Sequence, residues 1–155
     1  MFNKPLHILR IEDKNGKLIY EGYPEEKRAI PSDPNYVMVE MLKYAGGMGG
    51  LKSEAGGKTG TTNDFVDGWF MGITPSLVVG TWVGAEDKWV HFRTSSNGQG
   101  ARMAKPFFVS FMKKLEEMKN IDYQPAIRFL KPTSEFSIEM DCNKVNNANR
   151  LNSSV

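Results

Sequence analysis

Apolar and polar residues alternate in two short runs near the start of the chain, His7-Ile8-Leu9-Arg10-Ile11 and Lys17-Leu18-Ile19-Tyr20-Glu21. Between them lies Asp13-Lys14-Asn15-Gly16. Alternation puts every second side chain on one face of an extended chain, and Asn-Gly accepts the positive backbone angles of a tight turn, so the pattern predicts a β-hairpin. The spacing then changes. Val37, Met38, Met41, Leu42 and Ala45 recur at three- and four-residue intervals behind Ser32 or Asp33 as N-cap and Pro34 in the first turn. That spacing predicts a helix over residues 34–44, stopped by glycines.

Residues 45–50, Ala-Gly-Gly-Met-Gly-Gly, carry too little side chain to bury and read as a flexible connection. Strands are predicted over 56–62, 68–74 and 77–84, the last two joined by Thr74-Pro75-Ser76. Connections this short favour an antiparallel arrangement. Trp69, Phe70 and Trp82 on adjacent strands are expected in the core. Residues 86–102 read as a polar surface loop with Trp89 and Phe92 as anchors. Residues 103–119 place Ala104, Phe107, Phe108, Phe111, Leu115 and Met118 on one helical face, wide enough to cover a sheet. Beyond Asp122 the pattern fades, and residues 143–155, rich in asparagine, are expected to fray. The expected fold is α+β, with a hairpin, a helix, an antiparallel sheet and a covering helix. Residues 1–120 form the ordered portion, and residues 121–155 an extension that is partly disordered.

Composition narrows the function classes. A net charge of +2 over 155 residues is too mild to make nucleic acid or an anionic membrane surface the main partner. Cys142 is the single cysteine, which excludes an internal disulfide framework. No stretch approaches the roughly 20 apolar residues of a membrane span. Met1-Phe2-Asn3-Lys4-Pro5 lacks the pattern of a secretory signal, so a soluble chain is expected, with any targeting segment outside it. His7 and His91 have no ligand-spaced companions, and Asp64, Asp67, Glu86 and Asp87 read as turn and strand-end solvation. No metal and no cofactor are expected.

Lys58-Thr59-Gly60-Thr61 carries the candidate chemistry. A nucleotide P-loop needs a glycine five residues before Gly57-Lys58-Thr59, and Lys52 stands there. A strand bordering a cleft fits better. Glycine permits close approach of an extended ligand, threonine hydroxyls bond a carboxylate, and a free N–H stabilises an oxyanion. Alternation sends Lys58 and Gly60 one way and Thr59 and Thr61 the other, although a twisted edge strand still brings them to one ligand.

The order Lys58-Thr59-Gly60-Thr61-Thr62-Asn63-Asp64, Asp67-Gly68-Trp69-Phe70-Met71-Gly72, Thr74-Pro75 and Leu77-Val78-Val79-Gly80-Thr81-Trp82-Val83-Gly84 resembles the end of the transpeptidase domain of class A, bifunctional penicillin-binding proteins. The Arg10-Ile11-Glu12-Asp13 hairpin, the helix from Tyr36 to Leu42, and Gly100-Ala101-Arg102 ahead of Ala104-Lys105-Pro106-Phe107-Phe108 resemble their counterparts as well. The resemblance covers residues 6–115. It implies a partial β-lactamase-like fold with helices on both sheet faces. It also implies a serine acylated by the D-Ala-D-Ala end of a peptidoglycan stem peptide, or by a β-lactam. Lys58 would polarise that site, Thr59 and Thr61 would hold the substrate carboxylate, Gly60 would admit the ligand backbone, and the Thr61 N–H would give half of the oxyanion hole.

The family order is Ser-x-x-Lys, Ser-x-Asn, then Lys-Thr-Gly. Upstream of Lys58 the serines are Ser32 and Ser53, neither followed by lysine three residues on. Ser95-Ser96-Asn97 and Ser110-Phe111-Met112-Lys113 spell the missing motifs in reverse order and read as turn chemistry and a solvated helix face. Residues 45–53 are also shorter than the family's excursion, which reads as an internal deletion or an engineered joint. The expectation is the C-terminal half of a transpeptidase domain, inactive without its nucleophile, from a parent held at the bacterial inner membrane with this domain outside. Expected partners are stem peptides and β-lactams in that parent, the missing N-terminal half, and a second copy through an exposed sheet edge. The alternative is a non-enzymatic structural or interaction module on the same scaffold.

Overall fold

A computed structural model of the chain describes residues 2–133, 139–141 and 144. The expected fraying of residues 143–155 falls almost wholly outside the described residues, as does Cys142. The chain divides into two compact units, Met1–Asn35 and Tyr36–Val155.

In the first unit β1 (Phe2–Asn3) pairs antiparallel with β4 (Glu26–Lys27), a pairing too short to leave a pattern in the sequence. The expected hairpin is present as β2 (Arg10–Glu12) and β3 (Leu18–Glu21). Its turn differs from expectation, because Gly16 alone takes a positive φ, of 81°, and Asn15 does not. The Gly16 N–H donates to the Asp13 carbonyl, while the Asp13 carboxylate accepts from the N–H groups of Asn15 and Lys17. Aspartate thus closes the loop, and glycine supplies its one left-handed residue.

Helix α1 spans Ser32–Gly46, longer at both ends than the 34–44 expected. The glycines that follow are not a free linker. Gly46 is buried, and a Cβ on it would lie 2.8 Å from the Gly57 nitrogen, so the helix end touches the sheet backbone. Gly47, at φ 52°, caps the helix with its N–H on the Lys43 carbonyl. Of the expected apolar face, Val37 and Leu42 are half-buried, whereas Met38, Met41 and Ala45 are exposed.

Strands β5 (Gly56–Thr61), β6 (Gly68–Ile73) and β7 (Val78–Val83) form an antiparallel sheet in the order β5-β6-β7. These are the three predicted strands. Alternation divides the aromatics: Phe70 is fully buried on one face, while Trp69 and Trp82 lie half-exposed on the other with ring centroids 6.4 Å apart. The core expectation holds for Phe70 and fails for both tryptophans.

The covering helix is interrupted. Short helices α2 (Ser95–Gly98) and α3 (Gly100–Met103) occupy the segment read as loop, and α4 runs over Lys105–Glu117. Pro106 has no N–H to continue a helix from α3, so the chain restarts at Lys105 after Ala104. The buried stripe is Ala104, Phe108 and Met112, with Leu115 half-buried. Phe107, Phe111 and Met118, expected on that face, are exposed. Phe108 packs on Phe70 with centroids 5.2 Å apart, directly over Gly72. Burying each large side chain here contributes about 1.5–3 kcal/mol. Trp89 is 78% exposed and anchors nothing, while Phe92 lies against Gly98.

Past Asp122 the chain is tied down at two points. The Tyr123 hydroxyl meets Ser53 Oγ at 2.9 Å, and the Phe129 N–H donates to Glu54 at 2.8 Å. Burial alone would raise the Glu54 carboxyl, but bonds from Lys43 and the Phe129 N–H, with the charges of Lys43 and Arg128, hold it below its ordinary range. Glu116 of α4 is held low likewise: burial opposes ionisation, and bonds from Ser53 and the Lys52 N–H outweigh it.

Candidate active site

Strand β5 presents two different surfaces. A Cβ on Gly57 would strike the Phe70 ring, so Gly57, Thr59 and Thr61 face the α4 side of the sheet. Lys58 and Gly60 face the side of Trp69, and the registers Lys58↔Met71 and Gly60↔Trp69 place them there. The predicted divergence of lysine and threonine is therefore present.

The edge of the strand brings them back together. The Thr62 N–H donates to the Asp67 carbonyl. Ladder bonds alternate along an antiparallel pair, so the N–H groups of Thr61 and Thr59 point away from β6, along the open edge of β5. The Thr59 carbonyl points the same way, and Lys58 Nζ folds round to it at 3.1 Å, with Thr59 Oγ1 at 3.5 Å. Among the described residues Lys58 forms no ion pair.

Thr61 is fixed differently. Its Oγ1 accepts the Gly100 N–H at 3.0 Å, which leaves the hydroxyl proton free to donate. Gly100 sits where a Cβ would lie 2.5 Å from the Trp69 carbonyl oxygen, so only glycine brings α3 this close to β5 and β6. The Thr59 and Thr61 side chains line an open cleft of about 530 Å³, with Asn63, Phe65, Gln99 and Ala101 among its other walls. Asp64 and Phe65, at φ 56° and 57°, hold left-handed backbone beside it. Such geometry in a bulky residue costs of order 1 kcal/mol or more and needs support, which Phe65 finds against Gly98.

Sequence reasoning missed Gly100 and Asp67 as site neighbours. Asp67 accepts from Trp82 Nε1 at 3.0 Å, and its N–H donates to Thr62 Oγ1 at 2.8 Å, which locks the turn after β5 to β7. Ser110 and Lys113 are exposed on α4, on the opposite side of the sheet from Lys58. Ser95 and Ser96 begin α2, where Ser96 Oγ meets Thr94 Oγ1 at 2.7 Å. His91 Nδ1 lies 3.0 Å from the Phe92 carbonyl oxygen, and no group of metal-ligating side chains occurs among the described residues. No described helix is long and apolar enough to cross a membrane.

No protein-family model matches the sequence. Curated proteins do. Penicillin-binding protein 1A of Aquifex aeolicus is 34% identical over 128 residues, 78% of this chain and 17% of that protein. Penicillin-binding protein 1B of Escherichia coli is 37% identical over 92 residues, 54% of this chain and 11% of that protein. Penicillin-binding protein 1A of Rickettsia conorii is 36% identical over 167 residues, 89% of this chain and 20% of that protein. That span exceeds the 155 residues of the chain, so the relative carries residues inside the match that are absent from this chain. The chain thus spans between 11% and 20% of the length of these relatives. The crystal structure of penicillin-binding protein 1A from Haemophilus influenzae superposes with a TM-score of 0.56 at 22% identity, covering 80% of this chain and 25% of that one, which shows a common fold. With its mixed helices and antiparallel sheet, the chain belongs to the class A penicillin-binding proteins, as part of their transpeptidase domain.

Proposed function

We propose that β5 forms one wall of the acyl-transfer cleft of a peptidoglycan D,D-transpeptidase. The observation that carries this reading is the open edge of β5, where the N–H groups of Thr59 and Thr61 are left over by the ladder beside the Lys58 ammonium. A peptide ending in a carboxylate, or a β-lactam, suits that edge. The hydroxyls of Thr59 and Thr61 donate to the carboxylate, Gly60 admits the ligand backbone, Lys58 polarises the reacting centre, and the Thr61 N–H stabilises the oxyanion. One such donor is worth on the order of 10²–10³ in rate.

The chain by itself does not acylate. Ser32 and Ser53 have Asn35 and Gly56 three residues on, where the reaction needs a lysine, and the Ser53 hydroxyl is engaged by Tyr123. Catalysis belongs to a parent whose remaining domain supplies the serine, with residues 1–120 as its contribution from this chain and residues 121–155 as an extension. That parent is anchored at the bacterial inner membrane and works outside it on stem peptides.

Fluorescent penicillin tests this directly. The chain alone is expected to carry no covalent label on a denaturing gel. Mixed with a relative's transpeptidase domain lacking the segment that matches this chain, label is expected on the serine of the added domain, and Lys58→Ala removes it. Label on this chain alone overturns the claim of inactivity. Failure of the mixture to label favours the structural or interaction module.

A further inference from the structure

The geometry points to Gln99 as a further donor to the ligand carboxylate, and so as the residue that selects peptides ending in a free carboxylate over those ending in an amide. The inference deepens the acyl-transfer reading of β5 and rests on it.

The backbone at Gln99 is held from both sides. Gly98 is buried, and a Cβ on it would lie 2.3 Å from Phe65 Cβ. Gly100 is buried as well, with its N–H on Thr61 Oγ1 at 3.0 Å. The Gln99 carbonyl accepts the N–H groups of Arg102 and Met103 at 2.7 and 2.9 Å. With both neighbours locked and its own carbonyl engaged, Gln99 has its side chain left to offer. That side chain is exposed, lines the same cleft as Thr59 and Thr61, and has a carboxamide that no described group engages.

Two hydroxyls do not satisfy a carboxylate. Its two oxygens present about four acceptor positions. Thr61 Oγ1 accepts from Gly100, and Thr59 Oγ1 lies 3.5 Å from the Lys58 ammonium, so each hydroxyl has one proton to give. Further donors must come from the other walls. No lysine or arginine occurs among the residues that line the cleft, and the one charge there is the Asp64 carboxylate. Asp64 repels a second carboxylate, which drives the ligand's charged end back along β5 toward Thr61 and Thr59.

Two carboxamides line the cleft, and position chooses between them. Asn63 adjoins Asp64 in the chain and also borders the neighbouring cavity that Asp67 lines, a poor place for an anion. Gln99 instead adjoins Gly100, the residue whose N–H fixes Thr61. Its NH2 group carries two protons, and a hydrogen bond to an ionised acceptor is stronger than one to a neutral amide. A ligand that ends in an amide forfeits that difference. Gln99 therefore reads the charge at the end of the peptide.

The test titrates the full chain, labelled with nitrogen-15, with N-acetyl-D-alanyl-D-alanine and separately with its C-terminal amide, and follows both by NMR. The free carboxylate is expected to move the Gln99 side-chain NH2 signals together with the Thr59 and Thr61 amides, and to bind about tenfold more tightly than the amide. Gln99→Ala is expected to weaken the carboxylate ligand about fivefold, with the amide ligand and the melting temperature unchanged. Gln99→Glu keeps the shape and sets one carboxylate against another, so it is expected to weaken the carboxylate ligand about tenfold or more while sparing the amide ligand. A residue that only shaped the loop would move both ligands alike, so equal effects on the two, or none on either, overturn the assignment. Thr59→Val separates the two readings. If it weakens the carboxylate ligand while both Gln99 variants bind as the wild type does, Gln99 is removed and the acyl-transfer cleft stands. Wild-type chain that binds both ligands alike, or neither, removes both.

Discussion

The Gly100 N–H donates to Thr61 Oγ1 at 3.0 Å, joining α3 to the last residue of β5 across 39 positions of chain. Gly100 is buried, so its N–H has no water to turn to. Thr61→Val removes the acceptor and is expected to cost about 1–3 kcal/mol in urea denaturation, with Thr61→Ser largely restoring it. Gly100→Ala places a methyl 2.5 Å from the Trp69 carbonyl oxygen and is expected to destabilise by about 1–3 kcal/mol or more.

Gly72 and Phe108 test the core. A methyl on Gly72 would lie 2.1 Å from the Phe108 ring, inside fully buried packing. Gly72→Ala is expected to destabilise by about 1–3 kcal/mol, and Phe108→Ala by about 3–5 kcal/mol. Gly16→Ala strains a turn residue at φ 81° but meets no atom, so its effect in the same urea titration is expected to be nearer 1 kcal/mol.

Acid should loosen the chain beyond Asp122. The Glu54 carboxyl is lowered in the folded protein, so the unfolded chain binds more protons below the ordinary 4.5. The contribution of Glu54 is complete above that value and is lost as pH falls through 4.5 toward the lowered folded value. Glu116 acts in the same direction. Melting temperature is expected to decline below pH 4.5, and Glu54→Gln to flatten that decline while lowering stability at neutral pH. An unchanged acid slope in Glu54→Gln would show that the ionisation of Glu54 contributes nothing to that decline.

Asp67 couples the turn after β5 to Trp82. Asp67→Ala leaves the indole N–H of Trp82 to solvent, and because that group is partly exposed the expected cost is modest, about 1 kcal/mol. The Trp82 indole proton is expected to move in the NMR spectrum, and Asp67→Asn, which keeps an acceptor, to move it less.

Local patterns were legible in the sequence because they depend on neighbours in the chain. Alternation located the β2–β3 hairpin, short strand-like runs between turn residues located β5, β6 and β7, helical spacing located α1 and α4, and the ordered run from Lys58 to Gly84 pointed to the family. Reading α4 as one face from Ala104 to Met118 failed because helical spacing allows adjacent stripes, and only the position of Phe70 selects Phe108 and Met112 over Phe107 and Phe111. The glycines after α1 misled for a similar reason. A free linker and a close approach such as Gly46 on Gly57 look alike in sequence.

The sequence by itself determined which residues are proposed for acyl-transfer chemistry, Lys58 to Thr61, and which strand carries them. Tertiary structure decided what those residues face. Hydrogen-bond parity turned the N–H groups of Thr59 and Thr61 to an open edge, Gly100 took one side of the Thr61 hydroxyl, and Trp69 and Trp82 were left on the uncovered face with Lys58. Each of these depends on groups distant in the chain, and a pairing parity or a close approach has no signature until the strands are placed side by side.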